Sequence, residues 1–289
     1  MQFLVLGANG YLGSYLYDCM ERDCNKVIGT KHCGGAGQRK LLPFDILKDS
    51  LYDVTKLMDG GEKIAVFCIA QPNIDRCRTE FGLSRQINVS ASKEIIESLL
   101  NDNFYVIYFS TDNVFDGVKG DYSEEDKTNA INHYGRMKEE MEHFLTERYP
   151  EVCIFRLPKV IGAEKEKQNM LAEWENRVDD NEIRCIRGNR MSIIAKEDIY
   201  QACMIASRRK MKGIYNLCSG EVYSRKELAE IFYGAIGKKD KRIVELDVSE
   251  FGFRDNRPLN IGLNNSKFRS ETGYEFISYG TMVEQYCDI

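Results

Sequence analysis

The chain has 289 residues, a formal net charge of -5 and 43% hydrophobic residues. A chain of this length and composition can bury a substantial core, which excludes a disordered protein. The composition also argues against general binding to nucleic acid or anionic lipid, because acidic residues are in slight excess and no long run of like charge occurs.

The first half of the chain predicts alternating strands and helices. Apolar segments typical of strands span Phe3–Leu6, Ile64–Ile69, Phe104–Phe109 and Val152–Leu157, and Lys26–Ile28 starts a further strand. Segments with helical spacing are Tyr11–Glu21, Ser50–Met58, Leu83–Leu100 and Asn132–Arg148. Uninterrupted apolar strands between helices are typical of a parallel sheet covered on both faces. We therefore expect an α/β fold with a Rossmann-type doubly wound parallel sheet.

The second half has a less regular pattern. We expect a charged helix within Gly162–Asp179, helices at Ala195–Arg208 and Ser224–Ile236, and a strand at Gly213–Leu217. The long connections predict a smaller C-terminal lobe beside the sheet. We assign residues 1–158 and about 190–218 to the sheet domain, and about 159–189 and 219–289 to the lobe.

Cysteine spacing and the start of the chain bear on its compartment. No C-x-x-C pair occurs, and Cys68, Cys153, Cys203 and Cys218 lie in apolar runs, where cysteine acts as a small hydrophobe. We therefore expect free thiols and no metal site. The opening MQFLVLGANGYLG lacks the basic region of a signal peptide. No segment approaches the roughly 20 apolar residues that span a bilayer. We expect a cytoplasmic protein that does not bind membranes.

A glycine loop lies between the first strand and the first helix. Gly7, Gly10 and Gly13 form the pattern G-x-x-G-x-x-G there. A phosphate can approach the backbone only where side chains are absent, and a helix N-terminus offers N–H groups and a positive dipole end. The pattern in this position favours a dinucleotide-binding site over a simple tight turn.

The end of the second strand indicates which dinucleotide is bound. An NAD site typically has an acid there for the ribose hydroxyls, whereas this chain has Thr30, Lys31 and His32, with Arg39 nearby. Hydroxyl and cationic groups suit a 2′-phosphate. NADP(H) is therefore the favoured cofactor and NAD(H) a possible one. The alternative is that Lys31 and Arg39 are solvated loop charges.

A tyrosine, a lysine and a threonine form a candidate catalytic set. Tyr134 and Lys138 are four apart on a predicted helix, so they share a face. A lysine cation stabilises a phenolate and makes the tyrosine a better acid. Thr111 ends a predicted strand, where ligands of doubly wound sheets bind, and can hydrogen-bond the same substrate oxygen.

Together these motifs resemble the extended short-chain dehydrogenase/reductase family, and more narrowly its dTDP-4-dehydrorhamnose reductase-like branch of sugar-nucleotide-binding proteins. GANGYLG is similar to the family's phosphate loop, STDNVFDG to its S-T-D-Y-V-F-D-G, and YGRMKEEME to its Y-G-x-x-K-x-x-x-E. The chain differs from the branch at Cys68, Asn113, Asn264 and the segment 188–194.

The resemblance implies an NAD(P)H-dependent reductase of a nucleotide-linked 4-keto sugar. It implies Tyr134 as general acid, Lys138 as the group that tunes it and binds the nicotinamide ribose, and Thr111 as the group that orients the C4 oxygen. The predicted cofactor-binding residues are Gly7, Asn9, Gly10, Tyr11, Leu12, Gly13, Thr30, Lys31, Asp45, Ile46, Cys68, Ile69, Ala70, Asn88, Ser110, Tyr134, Lys138 and Leu157. The predicted substrate-binding residues are Gln71, Asp112, Val114, Arg190 and Arg257. The family also implies a homodimer.

Two other functions remain open at this point. Epimerases of the family use the same tyrosine and lysine. Dehydration is less favoured, because only Asp112 follows Thr111 and no second acid comes after it. A non-catalytic NADP-binding protein is the other alternative, since the regulatory subunit of methionine adenosyltransferase resembles the same branch.

Overall fold

The structure, a computed structural model, describes residues 1–23, 26–32, 40–58, 60–165 and 169–288. Its contacts divide the chain into two compact units. Unit 1 comprises Met1–Ser110, Arg136–Phe155 and Tyr200–Ile214. Unit 2 comprises Thr111–Gly135, Arg156–Ile199 and Tyr215–Ile289.

The described residues form the following strands and helices. The strands are β1 (Gln2–Leu6), β2 (Lys26–Lys31), β3 (Leu41–Pro43), β4 (Lys63–Phe67), β5 (Phe104–Thr111), β6 (Cys153–Leu157), β7 (Lys159–Ile161), β8 (Ile183–Ile186), β9 (Arg190–Ala195), β10 (Gly213–Asn216), β11 (Val222–Ser224), β12 (Ile243–Leu246) and β13 (Asn260–Ile261). The α-helices are α1 (Tyr11–Arg22), α2 (Tyr52–Thr55), α3 (Ile74–Thr79), α4 (Phe81–Arg85), α5 (Ser92–Asn101), α6 (His133–Arg148), α7 (Met170–Glu175), α8 (Lys196–Arg209), α9 (Arg225–Ala235), α10 (Ser266–Thr272) and α11 (Tyr279–Cys287).

The main sheet has the strand order β3-β2-β1-β4-β5-β6-β10. Strand β1 pairs in parallel with β2 on one side and with β4 on the other, so the order reverses at β1. This is the topology of a doubly wound dinucleotide-binding sheet, in which ligands bind outside the carboxyl ends of the strands. The predicted fold class is therefore confirmed.

The apolar runs that predicted the strands of unit 1 lie in its core. Residues 3–6 of β1 and 64–67 of β4 are almost completely buried, because helices cover both faces of a parallel sheet. Strand β5 extends two residues beyond its predicted end, so that it includes Ser110 and Thr111.

Three predicted helices differ from the structure. The segment predicted as one helix at Leu83–Leu100 consists of α4, a π-helical stretch Gln86–Ala91 and α5. The Ser50–Met58 prediction corresponds to the single turn α2. The charged helix expected within Gly162–Asp179 is the short α7, most of which is buried. Its residues join an apolar cluster around Trp174, so burial of that cluster accounts for this helix.

Unit 2 contains small strands that the sequence did not predict. Strand β9 pairs with β11, β13 and β7, and β8 pairs in parallel with β12. Its core joins residues of α7, α9 and α11, with Trp174 completely buried among them. Within the described ranges, no helix combines the length and apolar character needed to cross a membrane.

Candidate active site

The glycine loop of unit 1 makes a close backbone turn between β1 and α1. Gly7 has a φ of 85°, which favours glycine, and its N–H donates to the Thr30 hydroxyl at 3.0 Å. A Cβ on Gly13 would overlap the Gly7 carbonyl oxygen. Gly10 caps α1 without a side-chain hydrogen bond, so backbone N–H groups at this helix start stay available to a phosphate.

Thr30 supports this loop from the end of β2. Its side chain is buried, and its backbone carbonyl also accepts the Ala8 N–H at 2.7 Å. The structure therefore gives Thr30 a role in holding the loop. Lys31 follows it and is partly buried, whereas Arg39 lies outside the described residues.

Asp45 and Ile46, the other residues predicted near the adenine end of the cofactor, follow β3. The Asp45 carboxylate accepts the Leu47 N–H at 3.0 Å and lies 3.1 Å from Lys48 Nζ. The Leu47 N–H and Lys48 hold the pKa of Asp45 below its usual value, so this side chain is an anion at neutral pH.

The segment after β4, residues 68–71, is held by Asn88. The Asn88 side chain accepts the Gln71 N–H at 2.7 Å and donates to the Gln71 carbonyl at 3.0 Å. Asn88 is buried within the π-helical stretch, a type of helical turn often found at functional sites. Burial raises the pKa of Cys68 to about 12, so its side chain is a neutral thiol.

Lys138 is a buried cation with fixed partners. Its ammonium donates to the Tyr108 hydroxyl at 3.0 Å and to the Phe109 carbonyl at 2.7 Å. Burial lowers its pKa to about 8, against the opposing effect of Glu142, so it remains mostly charged at neutral pH. An ammonium has three N–H donors, which leaves one for a ligand.

These features of unit 1 fit a dinucleotide. The glycine loop presents backbone without side chains at positions 7, 10 and 13, and the buried Ser110 hydroxyl has no hydrogen-bond partner in the part of the chain that is described. Both features suit a ligand that approaches the backbone and supplies polar atoms. Over the same described residues, no group of histidine, cysteine, aspartate and glutamate side chains could hold a metal ion.

In unit 2, Thr111 and Asp112 form a buried pair. The Thr111 hydroxyl donates to the Asp112 carboxylate at 3.1 Å, and the Asn113 amide donates to the same oxygen at 2.9 Å. Burial raises the pKa of Asp112 to about 7, although hydrogen bonds from Thr111 and Asn113 act to lower it. Asp112 can therefore exchange a proton near neutral pH.

The start of α6, which contains Tyr134, packs closely against the loop after Thr111. Asn132 caps the helix by accepting the Gly135 N–H at 2.7 Å, and it donates to the Asn113 side-chain oxygen at 3.1 Å. A Cβ at position 135 would overlap the Asn113 carbonyl oxygen, so the approach requires glycine. Asn113 thus joins the Thr111–Asp112 pair to the helix that carries Tyr134.

The segment with Arg257 lies beside the same loop. A Cβ on Gly117 would come within 2.6 Å of Pro258, and the Asn260 N–H donates to the Gly117 carbonyl at 2.9 Å. The backbone N–H of Arg190, at the start of β9, donates to the Leu259 carbonyl at 2.6 Å. The structure therefore brings the two predicted substrate arginines onto neighbouring segments.

Two other residues of unit 2 have notable surroundings. Val114 is fully buried in an apolar cluster with Phe115 and Tyr122, so its side chain is a packing group in this structure.

Lys159, which sequence reasoning did not single out, is partly buried on β7. Burial and the neighbouring Arg225 lower its pKa.

A comparison with known families matches the whole chain, residues 1–289, to the RmlD substrate binding domain. The chain belongs to this family. Among curated relatives, a Xenopus tropicalis methionine adenosyltransferase 2 subunit beta is 23% identical over 78% of this chain and 69% of its own length. A probable low-salt glycan biosynthesis reductase of Haloferax volcanii is 27% identical over 60% of this chain and 59% of its own.

Among solved structures, a Bacillus anthracis dTDP-4-dehydrorhamnose reductase in complex with NADP matches with a TM-score of 0.87. It is 22% identical and covers 100% of this chain and 99% of its own. At this identity the match shows that the RmlD-family chain shares that fold.

Sequence reasoning missed several groups of the candidate site. Tyr108, a partner of Lys138, lay in an apolar run that predicted only a strand. Asn132 had a recognisable signal, since an asparagine directly before a helix is a preferred N-cap. The contact between His133 and Asp255 had no signal, because 122 positions separate the two residues.

Proposed function

We propose that this protein is an NADPH-dependent reductase of a nucleotide-linked 4-keto sugar. The main observation in support is the setting of Lys138, a buried ammonium fixed by Tyr108 and Phe109 and one helical turn after Tyr134 on α6. The match of the whole chain to the RmlD substrate binding domain supports the same reaction class.

Tyr134 gives a proton to the substrate oxygen as negative charge develops there. Lys138, still mostly protonated below its pKa of about 8, stabilises the phenolate that remains. Its remaining N–H donor binds a ribose hydroxyl of the cofactor. When bound, the reduced nicotinamide supplies the hydride to the sugar carbon.

Thr111 contributes a second hydrogen bond to the substrate oxygen. The Thr111 hydroxyl donates its hydrogen bond to the Asp112 carboxylate in the structure. It can donate to the substrate only when Asp112 no longer accepts this hydrogen bond. A protonated Asp112 donates to the Thr111 oxygen instead, which releases the threonine hydrogen. The pKa of Asp112, about 7, makes this exchange accessible at neutral pH.

Preference for NADP(H) over NAD(H) rests on Lys31, because a cation suits a 2′-phosphate. The nucleotide-sugar substrate places its phosphates against Arg257 and Arg190, since planar guanidinium groups bind phosphate well. A cytoplasmic location, a homodimer and the residue bounds of the sheet domain and the lobe stay predictions.

The test is NADPH oxidation against a panel of nucleotide-linked 4-keto sugars, with NADPH binding measured in parallel. Tyr134→Phe should leave NADPH affinity within a few-fold and lower kcat by at least about 100-fold, because a general acid is lost. Tyr52→Phe is the matched control, since Tyr52 is an exposed tyrosine of α2. Unchanged turnover in Tyr134→Phe would remove this residue from the mechanism.

A regulatory, non-catalytic function is the second candidate. The curated relatives named methionine adenosyltransferase 2 subunit beta favour it, and one from Danio rerio aligns with 91% of this chain. Binding of NADP(H) without turnover of any panel member, together with copurification of a larger enzyme, would support this candidate over the reductase.

A further inference from the structure

A histidine–carboxylate pair lies directly before the candidate catalytic tyrosine. Asp255 accepts two hydrogen bonds from His133, one from the backbone N–H and one from Nδ1, each at 2.8 Å. The Asp255 side chain is 4% exposed and that of His133 is 32% exposed. Both residues belong to unit 2.

The pair has a defined protonation pattern. Burial acts to raise the pKa of Asp255, but hydrogen bonds from His133 and from the Asn256 N–H outweigh it and hold the pKa below its usual value. Asp255 is thus a carboxylate at neutral pH and can only accept. Nδ1 of His133 must therefore carry a hydrogen, and this hydrogen bond fixes the orientation of the ring.

One further hydrogen bond joins the same two segments, and another lies within the segment that carries Arg257. The Asn256 side chain donates to the Ile131 carbonyl at 3.2 Å, and Arg257 Nη1 donates to the Asp255 carbonyl at 3.1 Å. The residues just before Tyr134 are therefore tied, by side chain and backbone, to the residues just before Arg257. We call this arrangement the His133–Asp255 clasp.

We propose that the His133–Asp255 clasp positions Tyr134 and Arg257 relative to each other, so that the proton donor and the phosphate-binding guanidinium meet one substrate together. The inference rests on the proposed function, because it assigns substrate contacts to both residues. His133 and Asp255 are positioning residues in this scheme and do not themselves touch the reacting atoms.

The first test compares His133→Ala with His133→Asn, whose side-chain amide offers an N–H close to the position of Nδ1. His133→Ala should lower kcat/KM for the nucleotide sugar roughly tenfold to a hundredfold, the range for a lost hydrogen bond to a charged group. KM for NADPH should change less than twofold, and His133→Asn should recover most of the loss. His143→Ala, at an exposed histidine of the same helix, should behave as wild type.

The second test needs no substrate. Hydrogen exchange of the backbone amides in 131–137 and 254–258 should accelerate together in His133→Ala and return towards wild type in His133→Asn. Joint acceleration without any sugar turnover by the wild type would retain the clasp and reject the reductase. If His133→Ala had the same exchange rates and the same kcat/KM as the wild type, the clasp would be overturned. Equal losses of kcat/KM in His133→Ala and His133→Asn would also overturn it.

Discussion

Replacing Asp112 by asparagine should stabilise the protein at high pH and much less at low pH. The folded state raises the pKa of Asp112 from 3.8 to about 7 by burial. Between these values the unfolded chain releases the proton while the folded chain keeps it, so the carboxyl group reduces stability as the pH rises. At about 1.4 kcal/mol for each unit of the pKa shift, this loss in the free energy of unfolding amounts to about 4 kcal/mol once the pH exceeds 7. Asparagine cannot ionise and removes this contribution.

Urea unfolding followed by tryptophan fluorescence is the suitable assay. The chain has one tryptophan, Trp174, and it is buried in unit 2 together with Asp112. The gain in free energy of unfolding caused by Asp112→Asn should be roughly 4 kcal/mol larger at pH 8 than at pH 4. Hydrogen bonds that change with the substitution but not with pH cancel in this comparison.

Asp116→Asn is the matched control. Hydrogen bonds from Tyr122 and from the Val118 N–H lower the pKa of Asp116, so its carboxylate stabilises the folded state above the usual pKa, and this contribution is lost as the pH falls through the lowered value. The control should therefore lose stability at pH 8 and lose less near pH 2. An Asp112→Asn effect of equal size at pH 4 and pH 8 would refute the reasoning about the buried carboxyl group.

Two further substitutions test other parts of the site. Gly13→Ala should weaken NADP(H) binding at least about tenfold by calorimetry, because the new Cβ would overlap the Gly7 carbonyl oxygen, whereas Gly82→Ala has open space and should bind as wild type. Equal affinities of the two variants would contradict this. Lys159→Met should raise the midpoint of thermal unfolding at pH 7, because burial and Arg225 disfavour the charged lysine, and a lower midpoint would show that the ammonium is stabilising.

The parts of the fold that follow from local sequence were predictable. The runs that became β1, β4 and β5 are apolar throughout, since a parallel sheet with two covered faces needs such strands. The glycine loop was predictable for a similar reason, because its three glycines, the strand and the helix are contiguous in the chain.

The parts that depend on distant contacts were not predictable. Strand β13 has only two residues and exists because it pairs with β9. The His133–Asp255 pair depends on the folding of unit 2, and neither residue has a neighbour in sequence that indicates the other. Thr30 shows a further limit, because its hydroxyl accepts the Gly7 N–H and so supports the loop, a contact that the local sequence does not indicate.

Because of the π-helical stretch Gln86–Ala91, the position of Asn88 depends on the number of residues in its helix as well as on their identity. Each residue of an α-helix turns the chain by about 100° about the axis. Loss of one residue from this stretch would convert it to a regular helix and rotate one half against the other by about that angle, which would carry Asn88 away from Gln71. Insertions and deletions that evolution accepts in this protein should therefore lie outside residues 81–101, while substitutions on the exposed face of the same helix remain acceptable.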